Sequence, residues 1–200
     1  MSAPIDPSRI APVTLTGRFV RLEPLTLAHV EPLLPLAAEA AIWRWMPAPA
    51  TDRASLTRWV EAALEAAAAQ TAIPFATVQL ADGRVAGSTR FMNIGAHDGR
   101  VEIGATWLGA AYRRTPVNTE AKLLMLTHAF EGLGAVRVEL KTHALNAQSR
   151  AAIERLGARF EGIHRKHMLM ADGTMRDTAW YSILDDEWPS VKARLTVKLR

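Results

Sequence analysis

The sequence predicts an α/β domain of the α+β type, with a mixed, mostly antiparallel central sheet of about seven strands flanked by helices. Three observations lead to this fold class. Three apolar runs separated by Asp-Gly turns over 73–108 are typical of an antiparallel meander. Strand and helix patterns then alternate over 119–156, as in a parallel crossover. The chain closes with a long hairpin pattern around the turn Ala171-Asp172-Gly173.

The elements before the meander are a strand and two helices. Apolar and charged residues alternate over 18–25, which predicts a half-buried strand. Apolar residues recur at helical spacing over 27–37, although Pro32 and Pro35 make this helix irregular. A second helical pattern with an alanine-rich body covers 55–67. Two helices therefore precede the main sheet.

The meander and the helix after it have the clearest patterns. The three apolar runs predict strands over 73–80, 85–94 and 101–108. Leucine, alanine and phenylalanine residues then recur at helical spacing over 119–133, and this pattern stops where two glycines occur. The sequence thus predicts a long helix directly after the meander.

The C-terminal third continues with a strand, a short helix and a hairpin. Apolar and charged residues alternate over 136–141, which predicts a strand. A helical pattern over 146–156 ends at a glycine, and two further runs over 160–170 and 176–184 flank a tight turn. A polar tail with helical character follows the hairpin. We find no internal repeat and no linker in this order of elements.

The composition is that of an ordinary globular protein, and it limits the kinds of function. With 200 residues, 49% of them hydrophobic and 22% charged, we expect one domain spanning 1–200. The absence of cysteine excludes disulfides, cysteine-based zinc sites and a cysteine nucleophile. No apolar stretch resembles a signal peptide or approaches the ~20 residues of a membrane span. We therefore expect a cytoplasmic protein without membrane contact.

The charge pattern leaves the kind of partner open. The formal net charge is +4 and the pI is about 9.8, which suits an acidic or phosphate-bearing partner. Because the basic residues are scattered, a solvated surface is an equal alternative. No basic helix or aromatic platform indicates direct nucleic-acid binding. His164 and His167 flank two basic residues, which is a poor metal site, so we expect no metal cofactor.

Four blocks of sequence carry a family resemblance. They are GRFVRLEPLTLAHV from Gly17, VEIGATWLGAAYRRTPVNTEAKLLMLTHAFE from Val101, LNAQSRAAIERLGARFEG from Leu145 and DGTMRDTAWYSILDDEWPSVKARL from Asp172. In this order they resemble the GNAT superfamily of acyl-CoA N-acetyltransferases, and within it the branch of ribosomal-protein-alanine N-acetyltransferases. The resemblance covers nearly the whole chain and depends on the order of the blocks.

The resemblance implies an acyltransferase that uses acetyl-CoA as co-substrate. The acetyl group would pass to a primary amine by direct attack in a ternary complex, without a covalent enzyme intermediate. The branch indicates a protein N-terminal α-amine as the acceptor, such as that of a ribosomal protein. A small-molecule amine and a non-catalytic acyl-CoA-binding module are the alternatives. A homodimer is also left open.

The resemblance further implies a cofactor site between two diverging strands. The pantetheine arm would lie where the strand ending near Leu108 separates from the strand after Gly134, and the next helix would receive the pyrophosphate at its N-terminus. Pro116 and Asn118 replace the two glycines of the family's loop pattern. We expect the arginines before them to compensate, and Asn118 with Thr119 to open the helix. The predicted cofactor-binding residues are Trp107, Leu108, Arg113, Arg114, Thr115, Val117, Asn118, Thr119, Asn146 and Ser149.

Three residues are candidates for the chemistry. Glu161 matches a position where the resembling branch places a glutamate facing the substrate amine, so it is the first candidate for the base. Glu102, on the central strand, is the second candidate. A solvated carboxylate and an outward-facing salt bridge are their respective alternatives. Ser149 matches the serine of the family's Asn-x-x-Ser pattern and is the candidate proton donor, while Asn146 and Ser149 also fit a simple helix cap.

The acceptor side is predicted from residues between the first two helices. Trp43, Trp45 and Met46 lie where family members shape the acceptor pocket. An exposed aromatic cluster beside a polar cleft would suit a peptide or amine. Packing in the core is the alternative, since tryptophan is usually well buried.

Overall fold

A computed structural model describes residues 5–200 and shows a mixed sheet of eight strands with six α-helices. The strand order is β1-β2-β3-β4-β5-β6-β8-β7. The strands are β1 Leu15–Thr16, β2 Val20–Pro24, β3 Ile73–Gln79, β4 Val85–Gly95, β5 Arg100–Leu108, β6 Arg137–His143, β7 Arg159–Leu169 and β8 Met175–Leu184. The helices are α1 Val30–Ala37, α2 Ala40–Trp43, α3 Arg53–Ala68, α4 Pro116–Thr127, α5 Ala147–Leu156 and α6 Trp188–Lys198.

The predicted order of elements is confirmed, with two short additions. The two-residue strand β1 pairs with β2 and raises the number of strands from about seven to eight. The one-turn helix α2 separates the two predicted N-terminal helices. Both additions are too short to produce a periodic pattern in the sequence.

The helix after the meander begins three residues earlier than predicted. The expectation that Asn118 and Thr119 would open it is wrong, because α4 starts at Pro116 with Thr115 as its N-cap. Proline is well suited to the first helical position, where its missing N–H would have had no partner in the helix. At its C-terminal end α4 continues as a π-helical turn, His128–Gly132, where the backbone bonds lengthen by one residue.

The helices cover both faces of the sheet. The buried apolar residues form two clusters, one under α4, α5 and α6 and the other under α1, α2 and α3. Phe75 and its neighbour Ala76 on β3 belong to different clusters. Since successive strand residues point to opposite faces, the two clusters lie on opposite sides of the sheet. No helix within 5–200 is long and apolar enough to cross a membrane.

Strands β5 and β6 pair for only part of their length. They are the parallel pair that the crossover pattern predicted, and the pairing covers 100–102 against 137–139. Beyond these residues β5 continues to Leu108 and β6 to His143 without bonding to each other. The divergence of the two strands, which the family resemblance implied, opens the middle of the sheet. All other neighbouring strands are antiparallel.

Candidate active site

A cavity of about 380 Å³ occupies the gap between the diverging strands. Its walls are the C-terminal halves of β5 and β6, the start of α4, the inner side of α5 and the segment around α2. Nine of the ten predicted cofactor residues line it. The exception is Val117, whose side chain is buried in the core beneath α4.

A β-bulge shapes the wall that β5 contributes. Ser88 on β4 pairs with Trp107, but Arg90, two residues further on, pairs with Gly104, so β5 carries one extra residue. Ala105 within the bulge has a φ of 47°, in the left-handed region. A bulge leaves one residue out of the ladder and turns its backbone groups away from the partner strand. Gly104 and Ala105 at the bulge both line the cavity.

The cavity wall is strongly basic. Within the described chain, six lysine or arginine residues line the cavity and no aspartate or glutamate does. The six are Arg113, Arg114, Lys122, Lys141, Arg155 and Arg176. Concave surfaces of one charge sign concentrate the electric field and attract ligands of the opposite charge. The wall is thus suited to a ligand that carries several negative charges.

The start of α4 brings two of these arginines together with free backbone donors. The Thr115 hydroxyl caps the helix by accepting from the Val117 N–H. The Arg113 Nε donates to the Leu108 carbonyl over 2.9 Å, which fixes this arginine beside the end of β5. Helix N-termini favour anions because their first N–H groups have no partner in the helix. An anionic group at this end of the cavity would meet both kinds of donor.

Glu102 lies directly behind the cavity wall. Its side chain is 1% exposed and lies one residue before Ile103, where the wall begins. The carboxylate accepts from Asn93 Nδ2 over 2.8 Å and pairs with Lys141 Nζ over 2.9 Å. Lys141 itself lines the cavity. Glu102 is therefore a buried salt-bridge partner that lies next to the cavity without lining it.

Glu161 lies away from the cavity, on the outer strand β7. Both of its carboxylate oxygens accept hydrogen bonds from the Arg137 guanidinium, and the Ser182 hydroxyl donates a further bond over 2.7 Å. These hydrogen bonds, above all those from Arg137, lower the pKa of Glu161 to about 2. A carboxylate held in this way is a weak base, and the structure does not bring it to the other predicted site residues.

Ser149 and Asn146 stand together at the start of α5, and both line the cavity. Asn146 is the N-cap of this helix, and its side-chain oxygen accepts from the Ser149 N–H over 3.0 Å. The capping role that the sequence left as an alternative is thus present. It uses the backbone of Ser149 and leaves the side-chain hydroxyl beside the cavity.

Comparison with known proteins places the chain in a family. Residues 20–159 match the family model described as "Acetyltransferase (GNAT) domain", which is 140 of the 200 residues. The chain is a member of the GNAT acetyltransferase family. The enzymes of this family are acyltransferases that use acyl-CoA, and the predicted fold and reaction class are confirmed at this level.

Individual relatives agree with this assignment. This acetyltransferase is 33% identical over 113 residues to YdaF of Bacillus subtilis (strain 168), which carries the provisional name of a ribosomal N-acetyltransferase. The match covers 56% of the chain and 61% of YdaF. A GCN5-related N-acetyltransferase from Brucella melitensis is 36% identical, with a TM-score of 0.90 over 99% of this chain and 89% of that one. Mycobacterium smegmatis RimJ, solved with CoA-disulfide, shares the fold at 23% identity, with a TM-score of 0.80 over 94% and 95% of the two chains.

The acetyltransferase's three predicted acceptor residues have different environments. Trp45 and Met46 line the cavity. Trp43 does not, because its ring packs against Trp59 and Trp107 in the core and its indole N–H donates to the Ala37 carbonyl over 2.7 Å. Trp43 thus has the packing role that the sequence left as its alternative.

Two basic residues that line the cavity were missed by the sequence reasoning. Arg176 on β8 is 5% exposed, lines the cavity, and donates to the Trp45 carbonyl over 3.1 Å. Lys141 on β6 pairs with Glu102, as described above. Both residues lie in predicted strands, but those patterns do not show which strands meet, and only the fold brings β8, β6 and the α2 segment together.

The third missed residue is a buried lysine that lines the cavity of the acetyltransferase. Lys122 on α4 is 5% exposed, and its Nζ lies 2.7 Å from Thr106 Oγ1 and 3.1 Å from Thr89 Oγ1. Burial lowers the pKa of Lys122 to about 7. A lysine in a helical pattern is normally expected to be an exposed polar residue, so nothing in the sequence indicates that Lys122 is buried beside Thr106. Within 5–200 no group of three or more His, Cys, Asp or Glu side chains could hold a metal.

Proposed function

We propose that this acetyltransferase binds acetyl-CoA in the cavity between β5 and β6 and transfers the acetyl group to the α-amine of a protein N-terminus. The observation that carries the cofactor proposal is the cavity wall, in which residues 5–200 place six basic side chains and no acidic one. Coenzyme A carries several phosphate charges, and arginine and helix N-termini are the usual protein ligands of phosphate. The negatively charged coenzyme A therefore matches the positive charge of the cavity wall.

The replaced glycines of the phosphate loop do not argue against this cofactor. Pro116 takes the first position of α4, where the helix has no acceptor for an N–H. The Val117 N–H donates to the Thr115 hydroxyl, and the Asn118 N–H remains available for an anion. Arg113 and Arg114 stand immediately before the helix and line the cavity. We propose that they hold the pyrophosphate, with the pantetheine arm along Trp107 and Leu108. The RimJ structure holds CoA-disulfide on the same fold.

The acceptor proposal is supported by the provisional name of YdaF and by the chemistry of the amine. An α-amine has an ordinary pKa near ~8, about two units below that of a lysine side chain, so less help is needed to remove its proton. We propose that Trp45 and Met46 contact the acceptor, since both line the cavity on the side opposite α4. A ribosomal protein is one candidate acceptor of this kind.

A small-molecule amine is the second candidate acceptor. The absence of acidic side chains from the described cavity wall favours acceptors without additional positive charge. A strongly basic peptide tail would therefore be received less well than a neutral or acidic peptide, or than a small amine that carries an anionic group.

We propose Glu102 as the group that receives the proton of the amine, through a water molecule. It is the carboxylate directly behind the wall, and its partner Lys141 reaches the cavity. The leaving thiolate needs a proton donor from the cofactor side, where Ser149 and Thr106 offer hydroxyl groups. The attack itself requires no covalent enzyme intermediate.

The proposed function is tested by measuring thiol release from acetyl-CoA with a panel of acceptors. The panel contains short peptides with a free or blocked N-terminus, each with a neutral, acidic or basic following sequence, and small amines with and without a carboxylate. We expect release with free N-termini and little release with blocked ones. Release with small amines alone would replace the protein acceptor by the second candidate. No release with any member would contradict transfer to amines.

A further inference from the structure

We infer that Thr106 protonates the departing CoA thiolate and that Lys122, nearly enclosed in the cavity wall, supplies the proton to Thr106. This inference rests on the proposed function and extends it to the leaving group. Thr106 touches the cavity, so it is the residue that would meet the sulfur. Lys122 acts through Thr106 and is a positioning residue in this scheme.

The geometry of the pair is that of a short proton path. The Nζ of Lys122 lies 2.7 Å from the Thr106 hydroxyl oxygen, which is within ordinary hydrogen-bond distance. Thr106 follows the bulge residue Ala105, is exposed, and faces the cavity. Lys122 is nearly enclosed. One hydroxyl group therefore separates an enclosed amine from the space where the thioester would lie.

The surroundings of Lys122 contain no opposite charge. The only other polar contact of its Nζ in the described chain is the Thr89 hydroxyl, at 3.1 Å. The charged groups on the three elements around it are engaged elsewhere. On α4 Glu120 accepts from backbone N–H groups at 18–20, on β5 Glu102 pairs with Lys141, and on β4 Arg90 lies over the Trp59 ring. A buried ammonium without a carboxylate is costly, which makes its loss of a proton easy.

The remaining charges near Lys122 are the basic residues of the cavity. Arg113 and Arg114 lie at the start of its helix, Lys141 on β6 and Arg155 on α5. Arg113 is paired with Glu39 and Lys141 with Glu102, whereas the phosphates of a bound cofactor would favour a positive charge on Lys122. The ionisation of Lys122 is therefore set by burial, which lowers its pKa to about 7, and by whether the cofactor is present.

This acidity suits the protonation of a thiolate. A free thiol has a pKa near ~8.5, so a proton moves downhill from a group that titrates near neutrality to a thiolate. An isolated serine or threonine hydroxyl is too weak an acid for this task without a second group behind it. Among the described residues that line the cavity there is no tyrosine, cysteine or histidine to serve instead.

Acetyl transfer and protonation of the thiolate involve two proton transfers, one on each side of the thioester. The amine nitrogen bonds to the thioester carbon, the carbon–sulfur bond breaks with its electron pair on sulfur, and the nitrogen loses its proton to the base. The Thr106 O–H then gives its proton to sulfur while Lys122 gives one of its three to the Thr106 oxygen. The products are the amide, CoA as the free thiol, and a neutral Lys122. Before the next turnover the base releases the proton of the amine to solvent, and a solvent proton returns to Lys122 through Thr106.

Ser149 is the rival donor on the same side of the cavity. Its N–H serves the helix cap, and no ionisable side chain within 5–200 is hydrogen-bonded to its hydroxyl. It therefore lacks the second group that Thr106 possesses. The two assignments differ in which substitution should remove the pH dependence of kcat that Lys122 causes. It is the substitution of Thr106 if Thr106 is the donor, and that of Ser149 if Ser149 is the donor.

The test uses four variants of the full chain, Thr106→Val, Thr106→Ser, Lys122→Met and Ser149→Ala, with acetyl-CoA and the best acceptor of the panel. Turnover is measured between pH 6 and 10, roughly the range in which lysine, amine and thiol titrate. Acetyl-CoA affinity is measured separately by calorimetry. The serine variant keeps a hydroxyl at position 106, whereas the valine variant keeps only the shape.

We expect Thr106→Val and Lys122→Met each to lower kcat about 100-fold, with the double variant no slower than either, because both remove one proton path. For Thr106→Val the acetyl-CoA Kd should change less than about threefold, and Thr106→Ser should stay within about tenfold of the wild-type kcat. In the wild type, kcat should fall at alkaline pH as Lys122 loses its proton. This alkaline decline should be absent from both the Thr106→Val and the Lys122→Met variants.

Two results would overturn the relay alone. The first is an active wild type whose alkaline decline persists in Thr106→Val and Lys122→Met. The second is loss of that decline in Ser149→Ala and not in Thr106→Val. A wild type that binds acetyl-CoA but releases no thiol with any acceptor would overturn the proposed function, and the relay with it.

Discussion

At the scale of single residues, the two glutamates show how the fold decides between candidates that look equal in sequence. Glu161 and Glu102 both lie on strand patterns flanked by apolar residues. In the structure Glu161 is held by Arg137 outside the cavity, whereas Glu102 lies behind the wall beside Lys141. The partners of each carboxylate come from other strands, so they could not be read from local sequence.

The two glutamates give the first prediction. Glu102→Gln should lower kcat about 100-fold because it removes the proposed proton acceptor, while acetyl-CoA affinity stays within about threefold. Glu161→Gln is the matched control and should leave kcat within about threefold. Steady-state kinetics measures kcat of both variants, and calorimetry measures their acetyl-CoA affinity. A large loss in Glu161→Gln with none in Glu102→Gln would restore the assignment that the sequence resemblance suggested.

Lys122 gives the second prediction, which does not depend on activity. Its pKa is about 7 in the folded state and near ~10.4 in an unfolded chain, so between these values the unfolded chain binds more protons. The free energy of unfolding of the wild type should therefore rise with pH over this range, by up to about 1.4 kcal/mol per pH unit for this one group. Lys122→Met should lack this rise.

The measurement is urea unfolding of both proteins at several pH values, with the difference between them plotted against pH. Other titrating groups are common to both proteins and cancel in the difference. A difference that does not change from pH 7 to 10 would show that Lys122 is not a desolvated lysine, and it would remove the basis of the relay.

At the scale of elements, the periodic patterns predicted nearly every strand and helix, and the misses have physical causes. The strands β3, β4 and β5 follow the predicted ranges within two residues because Asp-Gly turns mark their ends. The start of α4 was placed at Asn118 and Thr119, whereas the helix begins at Pro116. At the first helical position proline is favoured, and a threonine before it is a good cap.

The bulge in β5 is the element-scale feature that sequence could not supply. Nothing in the run around Ala105 marks an extra residue, since the bulge exists only relative to the pairing with β4. Likewise, β5 and β6 pair only over 100–102 and 137–139, and neither strand pattern alone shows where the pairing ends. The cavity depends on both features, the bulge in β5 and the short pairing of β5 with β6, and each involves residues far apart in the chain.

The C-terminal end of α5 gives the third prediction. Gly157 has a φ of 103°, and a Cβ there would lie 2.4 Å from Arg194 Nη2 and 3.1 Å from Val191 Cγ2. Gly157→Ala should therefore lower the free energy of unfolding by about 1–2 kcal/mol, from the left-handed backbone, with a further loss from crowding.

Gly173→Ala is the matched control for this prediction. Gly173 has a φ of 82° but no atom within 4 Å of a Cβ, so it isolates the backbone cost of about 1 kcal/mol. Both variants are compared with the wild type by denaturant unfolding. Equal losses in the two would show that the side chains of Arg194 and Val191 on α6 give way without cost.

At the scale of the whole molecule, the distribution of charge matters more than its sum. A net charge of +4 did not distinguish a phosphate-binding protein from one with a solvated basic surface. In the folded chain six basic residues from four different elements and their connecting segments converge on one cavity. The family resemblance had named eleven of the residues around this cavity, and the convergence of charge is what the structure adds.

The central claim is that this cavity binds acetyl-CoA, and calorimetric titration of the wild type with acetyl-CoA and free CoA tests it most directly. We expect a Kd in roughly the micromolar range for both, weakening at high salt because the attraction is electrostatic. Arg114→Gln should weaken binding about tenfold, whereas Arg165→Gln, an exposed arginine of β7 outside the cavity, should leave it unchanged. No detectable binding, or equal effects of the two substitutions, would contradict the placement of the cofactor between β5 and β6.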